Sequence, residues 1–87
     1  MLELKLLYRA TFTKGFAHEK YLMRGYYNML TGDYQLVITI PHLDYFKTIE
    51  VYNRVFDTLE ELKEKMESIY LSNEGKRINI EDFKVQD

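Results

Sequence analysis

The sequence predicts a small α+β domain in which an antiparallel sheet of four to five strands packs on one amphipathic helix of the C-terminal half, in the order β-β-β-β-α-β. Three observations predict this fold class. Residues 2 to 12 alternate between apolar and polar side chains, which is typical of a half-buried strand. Residues 59 to 72 carry apolar side chains at helical spacing. The chain has 87 residues, a length that fits a single domain over residues 1–87.

The first strand has the most regular pattern in the chain. Its even positions, from Leu2 to Phe12, are apolar and are expected to face the core together, whereas odd positions such as Arg9 are expected to face away. Residues 34 to 40 repeat this alternation and predict a central strand. Pro41 is expected to end that strand, because proline cannot donate a hydrogen bond to a sheet ladder.

Residues 16 to 30 allow two interpretations. Gly25 and the two tyrosines that follow it are unfavourable inside a helix and favourable in a strand. We therefore predict a strand over residues 19 to 29, followed by a hairpin loop with Gly32 in a left-handed conformation. The alternative is a helix in this segment, which would give the ferredoxin-like order β-α-β-β-α-β.

The fourth strand, over residues 46 to 56, alternates less cleanly. Val51 is expected to face the core, while Tyr52 and Arg54 are expected to face away from it. The alternation fails at the end of this segment, where two apolar residues are adjacent, and this indicates a bulge near Asn53.

Local signals mark both ends of the predicted helix, residues 59 to 72. Thr58 and Glu61 form the T-x-x-E capping box that satisfies free N–H groups at a helix start. Gly75 is expected to stop the helix, because glycine readily adopts the left-handed conformation found at helix ends. Residues 77 to 85 are then expected to form a last, irregular strand.

Composition restricts the class of protein. With 46% hydrophobic and 30% charged residues, the chain is too apolar to be disordered. The absence of cysteine excludes disulfides and thiolate chemistry, and it favours a reducing, cytoplasmic location. The N-terminus lacks the features of a signal peptide, and no apolar run reaches the roughly 18 residues of a membrane span.

The sequence contains no recognisable catalytic, metal or cofactor motif. His18 begins an H-E-x-x-H pattern, but Leu22 stands where the second histidine would be. His42 and Asp44 supply only two ligands, whereas a closed zinc site needs about four. Neither serine lies in a G-x-S-x-G motif, and no glycine-rich phosphate loop is present. We therefore predict a non-catalytic protein without a cofactor or a metal.

One helix can cover only one face of a sheet, so the other face remains available for contact. The predicted uncovered face is basic and aromatic, and such residues are enriched at protein interfaces. We therefore predict a small intracellular protein-binding module, and we also expect it to form a homodimer, which would enlarge a thin core. The predicted binding surface is centred on Arg9, Arg24, Tyr26, Tyr52 and Arg54.

Two other functions remain open at this stage. Basic and aromatic side chains on an open sheet also bind single-stranded nucleic acid, although the net charge of −2 counts against this alternative. A small enzyme is the second alternative. The Lys-, Tyr- and Ile-rich composition resembles that of small proteins from low-GC bacteria and their phages or mobile elements, which implies such a source.

Overall fold

In the computed structural model, the chain forms four strands followed by a helix, and the structure describes residues 3–14, 19–42 and 47–86. The strands are β1 (Leu4–Lys14), β2 (Glu19–Asn28), β3 (Tyr34–His42) and β4 (Lys47–Phe56). The helix α1 (Leu59–Glu74) and a 3-10 turn (Ile80–Phe83) complete the order. The predicted α+β fold class is confirmed. Because Glu19–Asn28 is a strand, the ferredoxin-like alternative is wrong.

The four strands form one antiparallel sheet in their sequence order, β1-β2-β3-β4. The β2–β3 hairpin contains Gly32 with φ of 78°, as predicted. The side chain of Asn28 holds this hairpin loop, because its Oδ1 accepts the N–H groups of Leu30 at 3.0 Å and Thr31 at 3.3 Å. Local turn chemistry therefore sets the connection between the two central strands.

The strand β3 continues past Pro41 to His42, so the prediction that it ends at residue 40 is wrong. The ladder between β2 and β3 ends at Leu22 and Thr39, and the last residues of β3 pair only with β4. Proline is tolerated where one side of a strand has no ladder partner, which explains its position here.

The ends of α1 follow the predicted capping signals. The Oγ1 atom of Thr58 accepts the N–H of Glu61 at 3.2 Å, and its hydroxyl donates to the Glu61 carboxylate at 3.1 Å. Gly75 ends the helix in the left-handed conformation, and its N–H donates to the carbonyl of Leu71 at 2.9 Å. The helix therefore begins at the predicted residue and ends two residues later than predicted.

The core lies between α1 and one face of the sheet, which we call the helix-side face. Leu62 and Met66 of α1 are fully buried there. Gly25 of β2 allows this approach, because a Cβ atom at Gly25 would lie 2.8 Å from Sδ of Met66 and 3.2 Å from a methyl carbon of Leu62. The remaining core side chains are Tyr8, Ala10, Phe12, Met23, Leu36, Ile38, Phe56 and Ile80.

Bulges in the two outer strands decide which side chains reach this core. In β1 the register shifts at Leu7, so that Leu6 pairs with Tyr26 whereas Tyr8 pairs with Gly25. In β4 it shifts at Val51, two residues from the predicted position near Asn53. The first shift contradicts the prediction that Leu4 and Leu6 face the core together with Tyr8. Both leucines instead lie on the opposite face of the sheet.

The last predicted strand, over residues 77 to 85, is not formed. Its backbone instead makes a 3-10 turn, because Oδ1 of Asn79 accepts the N–H of Glu81 at 3.1 Å and Glu67 accepts the N–H of Ile80 at 2.8 Å. Within the described part of the chain, one isolated bridge, between Tyr8 and Lys84, joins this segment to β1. The C-terminal segment therefore packs on the sheet without adding a full strand to it.

Candidate interaction surface

The sheet face that points away from α1, which we call the open face, receives side chains from all four strands. Because directly opposed residues of an antiparallel sheet share a face, its members follow from the register. They include Leu4, Leu6, Arg9, Thr11, Lys20, Leu22, Arg24, Tyr26, Asn28, Gln35, Val37, Thr39, Glu50, Asn53 and Val55. Arg9, Asn53 and Val55 are exposed, whereas Thr39 near one end is 9% exposed. Solvent therefore reaches the outer strands of the open face, and Arg24 and Val37 on its central strands are half-buried.

Two arginines face each other at the centre of β1 and β2. Arg9 lies directly opposite Arg24, and Arg24 lies directly opposite Val37 on β3. Like charges in directly opposed positions repel one another and destabilise a sheet. Within residues 3–14, 19–42 and 47–86, neither guanidinium has an ion pair or a side-chain hydrogen bond. The open face thus holds two close positive charges that the described part of the chain does not neutralise.

Apolar side chains lie beside this arginine pair, mainly on one side of it, whereas the row on the other side includes Thr11 and Thr39. On one side of the pair, four side chains form a row across the sheet, with one residue from each strand. From β1 to β4 these are Leu6, Tyr26, Gln35 and Val55. Val55 is 55% exposed, although a branched aliphatic residue is usually buried. An exposed mixture of arginine, tyrosine and aliphatic side chains is typical of protein contact surfaces.

The β3 and β4 side of the open face is organised by amide groups. The Nε2 atom of Gln35 donates to Oδ1 of Asn53 at 2.6 Å, and Nδ2 of Asn53 donates to Glu50 at 2.9 Å. This chain of hydrogen bonds directs the Glu50 carboxylate toward Asn53 on its own strand. The open face therefore has a cationic half on β1 and β2 and a neutral to acidic half on β3 and β4.

The structure brings together three of the five residues predicted for the binding surface. Arg9, Arg24 and Tyr26 are neighbours on the open face. Tyr52 and Arg54 lie on the helix-side face instead, because they pair with the buried residues Ile38 and Leu36. The expectation that all five share one face is therefore wrong.

The physical reason is the packing of the end of β4. Phe56 is buried in the core, so the residues two and four positions before it lie on the same helix-side face. The guanidinium of Arg54 therefore lies over the Phe56 ring at 5.3 Å, and Tyr52 packs against the core. Val51, predicted to face the core, is 47% exposed at the bulge. Sequence reasoning missed Leu6 and Val55 on the open face. The bulge at Leu7 decides the facing of Leu6, and the burial of the adjacent Phe56 decides the facing of Val55.

The titratable groups with clear pKa shifts form a cluster away from the open face. Burial and the hydrogen bond to Glu81 raise the pKa of Tyr8 to about 12. The hydrogen bond between Lys63 and Glu81 raises the pKa of Lys63 and lowers the pKa of Glu81. The Nζ of Lys63 lies 2.7 Å from Oε1 of Glu81, and Tyr8 donates to the same oxygen at 2.9 Å. These contacts join β1, α1 and the 3-10 turn, so their evident role is structural.

Two clefts among the described residues lie beside α1. One of about 310 Å³ is lined by Glu64, Glu67, Ser68, Leu71, Arg77 and Ile78. Its Glu67 carboxylate is already engaged with the N–H of Ile80 at 2.8 Å. Among the described residues, no three histidine, aspartate or glutamate side chains cluster in a way that could hold a metal ion. His18 and Asp44 lie outside the described residues.

The described part of the chain has no helix that is both long and apolar enough to cross a membrane. The fold and the open face define a small α+β protein with a four-stranded antiparallel sheet that is covered on one side by a helix. Comparison with known proteins adds no relative: no protein-family model, no curated protein and no solved structure matches this chain.

Proposed function

We propose that this protein is a small non-catalytic interaction module that binds a partner protein through the open face of its sheet. The observation that carries the proposal is the unneutralised pair Arg9 and Arg24, which lies beside Tyr26 and Val37 on a face that α1 does not cover. Arginine and tyrosine are among the residues that most often dominate the energetics of protein interfaces. In keeping with the cysteine-free sequence, we propose that it acts in the cytoplasm.

The distribution of aromatic residues favours a protein over single-stranded nucleic acid. Stacking of bases needs several aromatic rings on the exposed face of a sheet. Tyr21, Tyr34 and Tyr52 pack against the core on the helix-side face, and Tyr27 contacts Tyr34 at a ring distance of 5.2 Å. Tyr26 is therefore the aromatic residue that the described strands present on the open face. Aliphatic side chains occupy the other apolar positions there, and these suit contact with a protein.

Charge favours a different protein over a second copy on this surface. The described strands place three cationic side chains on the open face, Arg9, Lys20 and Arg24, against the single carboxylate of Glu50. Two such faces would repel each other if they were stacked. The homodimer stays a prediction, and it would need another contact, for which the outer edge of β4 is available. Sedimentation of the Val51→Lys variant beside the unaltered chain would test that edge.

The experiment is site-specific photo-crosslinking in the source cell. A photoreactive phenylalanine derivative replaces Thr11, an exposed residue of the open face, and the matched control places it at Ser72, an exposed residue of α1. We expect a discrete protein adduct, identified by mass spectrometry, from position 11 that is absent from position 72. The same pattern of adducts from both positions would refute the open face as the contact surface. Nucleic-acid adducts from position 11 would favour the rival function.

A further inference from the structure

We infer that the partner of the open face is acidic, and that it places a carboxylate between the guanidinium groups of Arg9 and Arg24. This inference rests on the proposed function, because it specifies the chemistry of the partner that the open face would bind. Three features support it: the spacing of the two arginines, the lack of an acid beside them among the described residues, and the apolar side chains next to them.

The spacing of the two arginines suits one shared anion. Directly opposed residues of an antiparallel pair have Cβ atoms about 4.5–5.5 Å apart, so both guanidinium groups can reach the same point above the sheet. Each guanidinium is planar and donates two parallel hydrogen bonds to a carboxylate. A single carboxylate above Arg9 and Arg24 would therefore satisfy donors from both side chains and remove their mutual repulsion.

Other cations of this protein already have partners within the fold. Lys63 is paired with Glu81 at 2.7 Å, and the guanidinium of Arg54 lies over the ring of Phe56 at 5.3 Å. The carboxylate of the open face, Glu50, is on β4, two strands and therefore about 10 Å from β2, and it accepts a hydrogen bond from Asn53. Among the described residues, the arginine pair thus lacks an internal acid, whereas Lys63 is neutralised and Arg54 is stacked on a ring.

The side chains beside the pair indicate what surrounds this carboxylate. Leu22 and Tyr26 precede and follow Arg24 at two-residue spacing on β2, and Val37 lies opposite it on β3. All three are half-buried and apolar or aromatic. Contact with apolar residues of a partner would exclude water and strengthen the ion pairs in the centre. We therefore infer a partner segment in which an aspartate or glutamate is flanked by large apolar residues.

The test is an NMR titration with a defined probe. The isotope-labelled protein is titrated with a capped five-residue peptide that has one glutamate between two leucines and a glycine at each end, and with its glutamine twin. We expect saturable shifts of the Arg9 and Arg24 side-chain signals with the glutamate peptide, and at least fivefold weaker binding of the glutamine twin. Equal shifts with both peptides, or shifts confined to other residues, would overturn the inference.

Variants separate this site from non-specific charge. Arg24→Gln is expected to weaken binding of the glutamate peptide at least fivefold, whereas Arg77→Gln, at an exposed position beyond α1, is expected to leave it unchanged. If both variants weaken binding equally, the attraction is diffuse and the inference fails. Inorganic phosphate and a ten-nucleotide oligo-dT are titrated in the same way as alternative ligands. Binding of either one tenfold tighter than the glutamate peptide, through the same arginines, would also overturn it.

Failure of this inference can be told apart from failure of the proposed function. A protein adduct from position 11, together with no preference for the glutamate peptide, would leave the interaction module standing and reject the acidic partner. Glutamate-specific shifts at Arg9 and Arg24, together with identical adducts from positions 11 and 72, would support the carboxylate site and reject the open face as the main contact.

Discussion

The hydroxyl of Tyr8, in the first strand, donates a 2.9 Å hydrogen bond to Oε1 of Glu81, in the 3-10 turn near the end of the chain. The same oxygen pairs with Lys63 of α1 at 2.7 Å. One carboxylate therefore holds together three elements that are distant in the sequence. Tyr8 is 3% exposed, so its hydroxyl depends on Glu81 for a hydrogen bond that water would otherwise make.

This cluster should make stability fall at alkaline pH. The pKa of Tyr8 is raised from 10.0 to about 12, so the native state retains the phenol proton more tightly than the unfolded chain does. The contribution of the protonated Tyr8 phenol to the free energy of unfolding is complete below pH 10 and is lost as the pH rises toward 12. The raised pKa of Lys63 acts in the same direction. We expect Tyr8→Phe to unfold more easily at pH 8, by about 1 kcal/mol, and to lose less stability than the unaltered chain at higher pH.

The measurement is urea unfolding at pH 8, 10 and 11.5, with Tyr26→Phe as the matched control. Tyr26 lies on the open face and is half-buried, so the loss of its hydroxyl leaves the hydrogen bond between Tyr8 and Glu81 intact. The lowered pKa of Glu81 acts at the other extreme, since its contribution is present above its ordinary pKa of 4.5 and is lost as the pH falls below that value. Parallel alkaline profiles of the Tyr8→Phe variant and the unaltered chain would contradict this account.

Gly25 is expected to resist substitution although its φ is unremarkable. A Cβ atom there would lie 2.8 Å from the sulfur of Met66, which is fully buried. We expect Gly25→Ala to destabilise the fold by about 1–3 kcal/mol, the usual cost of overpacking a core. In a Met66→Ala background the added methyl group has room, so its cost should largely disappear. Chemical unfolding of the two single variants and the double variant measures this coupling, and purely additive effects would contradict it.

Tyr52 should tolerate loss of its hydroxyl. Its oxygen is buried and has no hydrogen-bond partner among the described residues, an arrangement that costs about 1–3 kcal/mol relative to a satisfied group. We therefore expect Tyr52→Phe to be neutral or to raise the free energy of unfolding by up to about 1 kcal/mol. Tyr8→Phe is the matched comparison, because its hydroxyl is bonded and its loss should have the opposite sign. Thermal unfolding measures both, and marked destabilisation by Tyr52→Phe would reveal a partner for that hydroxyl.

Arg9→Glu is expected to improve stability while it abolishes partner binding. The substitution places an acidic side chain opposite Arg24 and replaces repulsion with attraction, which should add about 0.2–1 kcal/mol to the free energy of unfolding at low salt. Raising the salt concentration should reduce this gain, because the pair is accessible to solvent. Unfolding at two salt concentrations and capture of the crosslinked partner measure the two effects. Arg77→Glu is the control, and equal gains from both variants would point to net charge alone.

The elements specified by local signals could be predicted from the sequence. The ends of α1 follow Thr58 and Gly75, each of which satisfies backbone groups within one turn of itself. The strand over 19–28 follows from the poor helix propensity around Gly25, and the hairpin follows from Gly32. In each case, the residue that determines the local structure lies within the same segment of the sequence or directly beside it.

The facing of the outer strands could not be predicted in this way. Leu4 and Leu6 alternate with Tyr8 in the sequence, but the bulge at Leu7 moves them to the open face. The carbonyl of Leu7 accepts the N–H of Val85 at 2.9 Å, so the irregularity coincides with a contact to the other end of the chain. The predicted facing of Tyr52 and Arg54 is wrong because Phe56, two residues after Arg54, is buried in the core and places both of them on the helix-side face. Both errors arise from tertiary contacts, which the alternation of apolar and polar residues in the sequence does not reveal.

The contact of Leu7 and Tyr8 with Val85 and Lys84 also has a consequence for synthesis. Before residues 81–85 are synthesised, the backbone of β1 lacks its contact with Val85 and Lys84, and the phenol of Tyr8 lacks Glu81 as a hydrogen-bond acceptor. The nascent chain can pair its strands early, but it can complete this side of the molecule only after residue 85 has emerged from the exit tunnel. Until then, the first strand has a backbone partner on its β2 side alone.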